Sequence, residues 1–401
     1  MRAAVLAAVS CTACFGSGPV PSRVADATVV FAAPAPTASC IGYYVDSVAF
    51  GADTGYVETP QYGIQNNDSC NGGSGMDPLS NVQVWSFPLA AGGAMPTMVD
   101  AIGPNTAQGT PRLAVTATGV EYISPTDSGL SSLVVGTLTP GSNGAFLPQP
   151  SPINGNQEPA AFLADGSGAF AVSWGGYSGY SPIHPNYPSG GANDNNTGVN
   201  YIDALGSGGD AVLDVDGDND EKFACATAYD CVALDPMNLF WFDTGAVKSV
   251  SRGGGSAEMN GPLGGLAPVG IATGGGTIAW TVSVDYRSAP VSMTSCEVFV
   301  KGQMIFTTKD FSCMGAATDG QYVYFAIVAA SNQGGPRIDG VGLGRVSMSG
   351  VLEAIALGEQ SDGSPVGPRR VYLANGKLWA VDPAVIATFD PDVLAGQHDF
   401  Q

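Results

Sequence analysis

One stretch constrains the fold of this chain more than any other: residues 315–350, GAATDGQYVYFAIVAASNQGGPRIDGVGLGRVSMSG. It reads as an apolar strand, a Thr318-Asp319-Gly320 turn, and a second strand in which Tyr322, Tyr324 and Ala326 alternate with their neighbours. A Gly-rich loop follows, then a third strand from Val341 to Met348, closed by Gly350. Period-2 alternation bounded by turn residues is the signal of strands joined by tight hairpins.

The unit recurs. Turns at Asp53-Thr54-Gly55, Thr118-Gly119, Asp165-Gly166, Asp235 to Asn238, Gly274 to Gly276, Thr318 to Gly320 and Asn375-Gly376 each lead into an apolar, aromatic-bearing strand. Such residues supply positive φ or side-chain hydrogen bonds to a tight turn. A further β-rich run follows each: 82–87, 133–138, 199–204, 246–250, 296–300, 341–346 and 385–389. These runs recur roughly every 50 residues, the period expected of four-stranded blades. The expected fold is therefore all-β: a β-propeller of seven four-stranded blades, with six or eight as the alternatives. Residues 351–357 (VLEAIAL) have helical propensity, but the repeat places them on a blade's outer strand. Residues 28–31 are expected to complete the blade that contains 385–389.

TDGQYVYF (318–325), DPMNLFWF (235–242) and ANGKLWAV (374–381) resemble the repeats of exported bacterial β-propellers of the NHL-like or YWTD-like group. No copy holds an intact YWTD, and the likeness is weak in each repeat. The resemblance implies blades around a channel and no specific chemistry.

The chain is strongly acidic, with 35 Asp and Glu against 14 Lys and Arg and a net charge of −21. Binding a phosphate backbone needs cations to displace its counterions, so the charge argues against nucleic acid as a partner. Arg2 followed by the short apolar run 3–13 reads as an export leader spanning 1–14. That run falls well short of the roughly 20 apolar residues a bilayer span requires. Cys11-Thr12-Ala13-Cys14 resembles a bacterial lipoprotein processing site, with Cys14 as the lipidated residue. The usual pattern has an aliphatic residue where Cys11 stands, and Ala8-Val9-Ser10-Cys11 is a second, equally imperfect match. The expectation is a bacterial lipoprotein of the outer membrane or periplasm, or a secreted protein, touching membrane only through a lipid anchor. Residues 15–25 read as a tether, and 26–401 as a single propeller domain with insertions at 58–80 and 175–231.

Six cysteines remain: Cys40, Cys70, Cys225, Cys231, Cys296 and Cys313. An even number in an exported chain points to disulfides, and neighbours in sequence give 40–70, 225–231 and 296–313, each stapling a loop. A zinc site lacks both a C-x-x-C pair in the mature chain and histidine partners.

Asp214-Val215-Asp216-Gly217-Asp218-Asn219-Asp220 is the sharpest chemical motif. Alternating carboxylates with a glycine at the bend can wrap oxygen ligands around Ca²⁺. The D-x-D-x-D core resembles the calcium loops of EF-hands, dockerins and thrombospondin repeats, which implies Asp214, Asp216 and Asp218 as ligands with Asp220 as a fourth. It departs from the EF-hand in placing glycine fourth and Cys225 at position twelve. The expected role of the ion is structural. The competing explanation is a solvated acidic loop.

Trp174, Tyr177, Tyr180, His184 and Tyr187 form an aromatic loop suited to stacking on sugars. The simpler reading is that Tyr and Pro pack this insertion against the propeller face. Enzyme signatures are scarce: His184 and His398 are the two histidines, and neither G-x-S-x-G nor H-E-x-x-H is present. Asp165, Asp235, Asp319 and Asp382 sit at expected blade ends, where turn formation competes with acid–base roles. The functional expectation is a non-enzymatic binding or scaffold module for a glycan or protein partner. The alternative is a carbohydrate-active hydrolase or lyase with carboxylates at the channel mouth.

Overall fold

The computed structural model describes residues 28–34, 41–63, 78–90, 95–102, 112–116, 119–125, 133–137, 157–165, 168–175, 199–205, 211–214, 232–243, 245–252, 257–264, 266–283, 294–329, 340–358, 368, 370–382 and 384–399. Strand β1 is Thr28–Ala32. A first sheet holds β2 (Ile41–Tyr43), β3 (Val48–Phe50), β4 (Thr54–Gly63), β5 (Pro78–Pro88) and β6 (Thr97–Ile102). The next has three strands, β7 (Arg112–Thr116), β8 (Gly119–Pro125) and β9 (Leu133–Thr137). Four-stranded sheets follow: β10 (Gln157–Asp165), β11 (Gly168–Gly175), β12 (Val199–Leu205) and β13 (Ala211–Asp214); then β14 (Val232–Leu234), β15 (Asn238–Asp243), β16 (Ala246–Ser251) and β17 (Glu258–Pro262). Two more are β18 (Ala267–Gly274), β19 (Thr277–Ser283), β20 (Cys296–Val300) and β21 (Gln303–Thr308), and β22 (Ser312–Thr318), β23 (Tyr322–Ala329), β24 (Gly340–Ser347) and β25 (Leu352–Gly358). The last sheet joins β26 (Arg370–Ala374), β27 (Lys377–Val381) and β28 (Val385–Phe389) to β1.

The chain is thus an all-β propeller, with seven antiparallel sheets among the described residues. The first departs from four simple strands because its inner strand is broken into β2 and β3, both of which pair with β4. Contacts divide the chain into two compact units: Met1–Ala35, Cys225–Cys231 and Asn260–Gln401 form one, Pro36–Ala224 and Val232–Met259 the other.

The turns explain the hairpins. Gly275 and Gly276 both take positive φ, 54° and 72°, as do Asn375 and Gly376 at 51° and 67°. Two-residue turns of that hand match the twist of the flanking strands. The β25 strand lies on the outer edge of its sheet, as the repeat requires, so pairing overrides the helical propensity of 351–357. In the last sheet Thr28 pairs with Thr388 and Ala32 with Val385, and the Phe31 side chain is buried. The N-terminal strand completes this sheet, as expected from the sequence.

In three sheets the second strand carries a core tryptophan. Trp241, Trp280 and Trp379 are fully buried, and Trp280 stacks on Phe299 with centroids 5.5 Å apart. The indole N–H groups of Trp241 and Trp280 have no hydrogen-bond partner among the described residues. Leaving one unpaired costs about 1–3 kcal/mol. Burying the ring returns roughly 4–6 kcal/mol at ~25 cal/mol per Å², so packing wins.

Cys296 and Cys313 form a disulfide with both side chains fully buried. The pairing is as expected but its role is not. The bond joins the third strand of one sheet, β20, to the first strand of the next, β22, so it ties two sheets rather than closing a loop. The insertions also need correction. Glu58–Gly63 and Pro78–Ser80 belong to the paired strands β4 and β5, which narrows the first excursion to 64–77. The second, 175–231, contains strands β12 and β13. Extended polar segments such as Thr59-Pro60-Gln61 carry no apolar alternation and read as loop from sequence.

Candidate functional site

Antiparallel order sorts the connections of every sheet. The end of the second strand and the start of the third share one end with the start of the first and the end of the fourth. The connections 64–77, 176–198, 215–231, 284–295, 330–339 and 359–369 all leave from that end. The opposite end holds tight turns at 166–167, 275–276, 301–302 and 375–376, and the longer connections 89–96 and 138–156 leave β5 and β9 there. Long connections on a rigid sheet are where binding residues concentrate.

In the β10–β13 sheet this end collects two of the sequence motifs. Trp174 lies on β11 opposite Asn200, and in the adjacent row Ser173 pairs with Tyr201, which pairs with Asp214. β11 and β13 flank β12, so their backbones run roughly 9–10 Å apart. The connection 176–198, which carries Tyr177, Tyr180, His184 and Tyr187, therefore starts beside the connection 215–231, which carries Asp216, Asp218 and Asp220. Those seven residues lie outside the described residues, as do Cys14, Cys40, Cys70, Cys225 and Cys231. The leader 1–14 and tether 15–25 lie outside them too.

The first sheet adds a polar cluster that the sequence did not disclose. Asp46, Ser47, Glu58 and Thr59 are all buried. The main chain bulges there: Glu58 N donates to Ser47 O at 2.8 Å while Asp46 N donates to Glu58 O at 3.0 Å, setting two residues against one. Ser47 Oγ accepts from Leu113 N at 2.9 Å, anchoring the bulge to β7. On the other face of the sheet Trp85 Nε1 donates to Thr59 Oγ1 at 3.2 Å, and Gln83 Nε2 donates to Tyr43 Oη at 3.4 Å. No group of three His, Cys, Asp or Glu side chains poised for a metal occurs among the described residues. The signal in the sequence is the run of polar residues Glu58, Thr59 and Gln61 after an alternating start, which the repeat pattern assigns to an insertion.

Asp235, Asp319 and Asp382 are bound up in their turns. Asp319 Oδ1 accepts from Gln321 N and Tyr322 N, both at 2.8 Å, and its Oδ2 accepts from Tyr324 Oη at 2.9 Å. Asp235 Oδ1 accepts from Met237 N at 2.7 Å and Asn238 N at 2.6 Å, and Asp382 Oδ1 from Ala384 N at 2.8 Å. Asp165 ends β10 at the tight-turn end of its sheet. Asp235 and Asp319 likewise sit at tight-turn ends, away from the long connections.

From Asp319, in the β22–β23 turn, a polar chain crosses β23 and β24 to β25. Tyr324 pairs across β23 and β24 with Arg345, whose Nε donates to Glu353 Oε2 on β25 at 2.6 Å. Arg345 also lies 4.2 Å over the Tyr322 ring. Burial first, then the Asp319 carboxylate, raise the Tyr324 hydroxyl well above its ordinary value, and Arg345 offsets only part of that. Burial would raise the Glu353 carboxyl, but the Gly396 N–H, the Arg345 guanidinium and His398 together hold it below its usual range.

No family model matches the chain, and no curated protein matches it in sequence. Among solved structures it is similar to the acylaminoacyl peptidase of Pyrococcus horikoshii, at 10% identity and a TM-score of 0.47 over 88% of this chain. It spans about half of that protein, 52% of its length. It is also similar to the β-propeller domain of the trilobed protease of Pyrococcus furiosus, at 8% identity and a TM-score of 0.46, covering 87% of this chain and 93% of that one. YCF48 of Cyanidioschyzon merolae shares 11% identity at a TM-score of 0.45, covering 91% and 99% of the two chains. At these scores the propeller assignment rests on the sheets themselves, and no activity is carried over.

Proposed function

We propose that this protein is an exported, envelope-tethered propeller that acts as a non-enzymatic binding module for a glycan or a protein partner. One observation supports the reading most: Trp174 and Asp214 occupy neighbouring rows at the same end of the β10–β13 sheet, where the aromatic and acidic connections both begin. In this reading Tyr177, Tyr180, His184 and Tyr187 offer stacking faces and hydroxyls, and Asp214, Asp216, Asp218 and Asp220 hold a structural Ca²⁺ that fixes the neighbouring connection. Cys14 carries the lipid anchor. The net charge of −21 disfavours nucleic acid as the partner.

A second reading, a carbohydrate-active hydrolase or lyase, draws on the buried Asp46 and Glu58, two carboxyl-bearing residues set against each other at a bulge. One experiment separates the two. The chain from residue 22 onward is incubated with a polysaccharide panel, with Ca²⁺ or with chelator, and both retention and release of new sugar ends are recorded. Retention without release, lost in Tyr177→Ala/Tyr180→Ala, is the expected result. Release that disappears in Glu58→Gln establishes the enzyme instead. If neither occurs, the glycan reading fails and protein partners come first.

A further inference from the structure

The outermost strands of successive sheets are treated differently. On β21, Gln303 and Met304 are exposed, and on β17 so are Glu258 and Met259. On β25, by contrast, Leu352, Ala354, Ile355 and Leu357 are buried. Leu352 and Ala354 pack in the cluster with Val298 and Phe311, and Ile355 and Leu357 in the one with Leu378 and Leu394, while the backbone edge of β25 is met by the segment that follows the short 3-10 helix Pro391–Leu394. Ala354 N donates to Gln397 O at 2.9 Å, and Asp399 N donates to Ala354 O at 3.1 Å, a parallel bridge centred on Ala354 and His398. Where the ladder would need another carbonyl, the Asp399 side chain supplies one: Ala356 N donates to its Oδ2 at 3.0 Å. Glu353 Oε1 accepts from Gly396 N at 2.7 Å, and Arg345 Nη1 donates to Pro391 O at 3.1 Å.

The two parts of this segment are held unequally. Leu394 is fully buried in the apolar core shared by the last two sheets. Residues 396–399 lie beyond it, attached by a few edge hydrogen bonds and reached through Gly396 at φ +67°. Short edge pairings open at far lower cost than core strands. An edge strand stripped of its cover presents a row of unpaired backbone groups that templates another extended segment.

We infer that the outer edge of β25 is a strand-docking site, that residues 396–399 are its occupant within the chain, and that the same residues of a second copy can replace them. The occupant seated there defines what fits: a parallel extended segment with a backbone acceptor followed two residues later by an aspartate. A second copy carries that segment with an identical set of contacts. Exchange of an identical element between copies is a low-cost route to association, and its extent follows concentration.

The test uses the full chain with Gly396→Pro, which removes the N–H given to Glu353 and cannot take φ +67°. Hydrogen exchange is followed at residues 352–358, with and without about 1 mM of a peptide spanning 395–401. The expected result is at least about tenfold faster exchange of the Ala354 and Ala356 amides, with β23 and β24 unchanged. The peptide restores that protection, and its Asp399→Ala version does not. Unchanged exchange in the variant, or fast exchange that the peptide leaves fast, overturns the inference. If Gly396→Pro loosens the whole sheet, Asp399→Ala in the full chain is taken through the same measurements. Sheet-wide loss there as well shows the segment to be a fixed part of the fold and also overturns the inference.

Discussion

Asp319 shows how much one turn residue can organise. Its two oxygens hold two backbone N–H groups and the Tyr324 hydroxyl, so it acts as turn former and sheet anchor at once. Replacing it with Ala leaves Tyr324, buried in its sheet, without this acceptor. We expect Asp319→Ala to lower stability by about 1–3 kcal/mol in urea titration, and Asp319→Asn by less. Tyr324 itself makes a second test. Its hydroxyl is held above the ordinary tyrosine range, so it stays neutral in the folded state at a pH where exposed tyrosines ionise. Ultraviolet absorbance on alkaline titration of the native protein shows its ionisation only with alkaline unfolding. Glu353 runs the other way. Its folded carboxyl lies below the usual range, so its contribution is present above the unfolded value near ~4.3 and is lost as pH falls through the folded one. The stability gap between the wild-type chain and Glu353→Gln is therefore full at neutral pH and closes under acid.

At the scale of elements, the repeated hairpin was readable because each step of it is local. A turn of two or three residues fixes the register of the strands it joins. The seven second strands and the runs after them fall where the spacing places them, from β4–β5 to β27–β28. β1 is the exception, since its partner lies at the far end of the chain. It could be anticipated only from the need to complete a sheet and remove an open edge. Phe31 is the anchor of that pairing, at 2% exposure. Phe31→Ala should cost about 3–5 kcal/mol, and deletion of 26–33 should lower the melting temperature by many degrees; an unchanged melt removes β1 from the stabilising set. Bulges escaped the sequence altogether. The Pro268/Gly270 irregularity brings Gly270 so near the next sheet that an added Cβ would stand 2.3 Å from the Gly315 carbonyl carbon. Nothing in either local segment announces that approach, because it belongs to two strands far apart in sequence.

At the scale of the whole molecule, the Cys296–Cys313 bond spans two sheets. Cross-linking the unfolded chain over such a loop is worth roughly 3 kcal/mol. Cys296→Ser/Cys313→Ser should lose about 2–5 kcal/mol, measured by denaturant unfolding without reductant. Both sulfurs are buried, so mild reductant should leave the native disulfide intact until the fold opens.

The sequence by itself determined the fold class, the repeat, the near pairing of Cys296 with Cys313, and the turn-forming role of Asp235, Asp319 and Asp382. Each follows from residues close in the chain, whose preferences act before any tertiary contact exists. Only the tertiary structure decided that Trp174 and Asp214 share one sheet end, that Asp46 meets Glu58 at a bulge, and that residues 396–399 cover β25. Those neighbours are set by strand order and register, which emerge when sheets assemble and which no local pattern encodes.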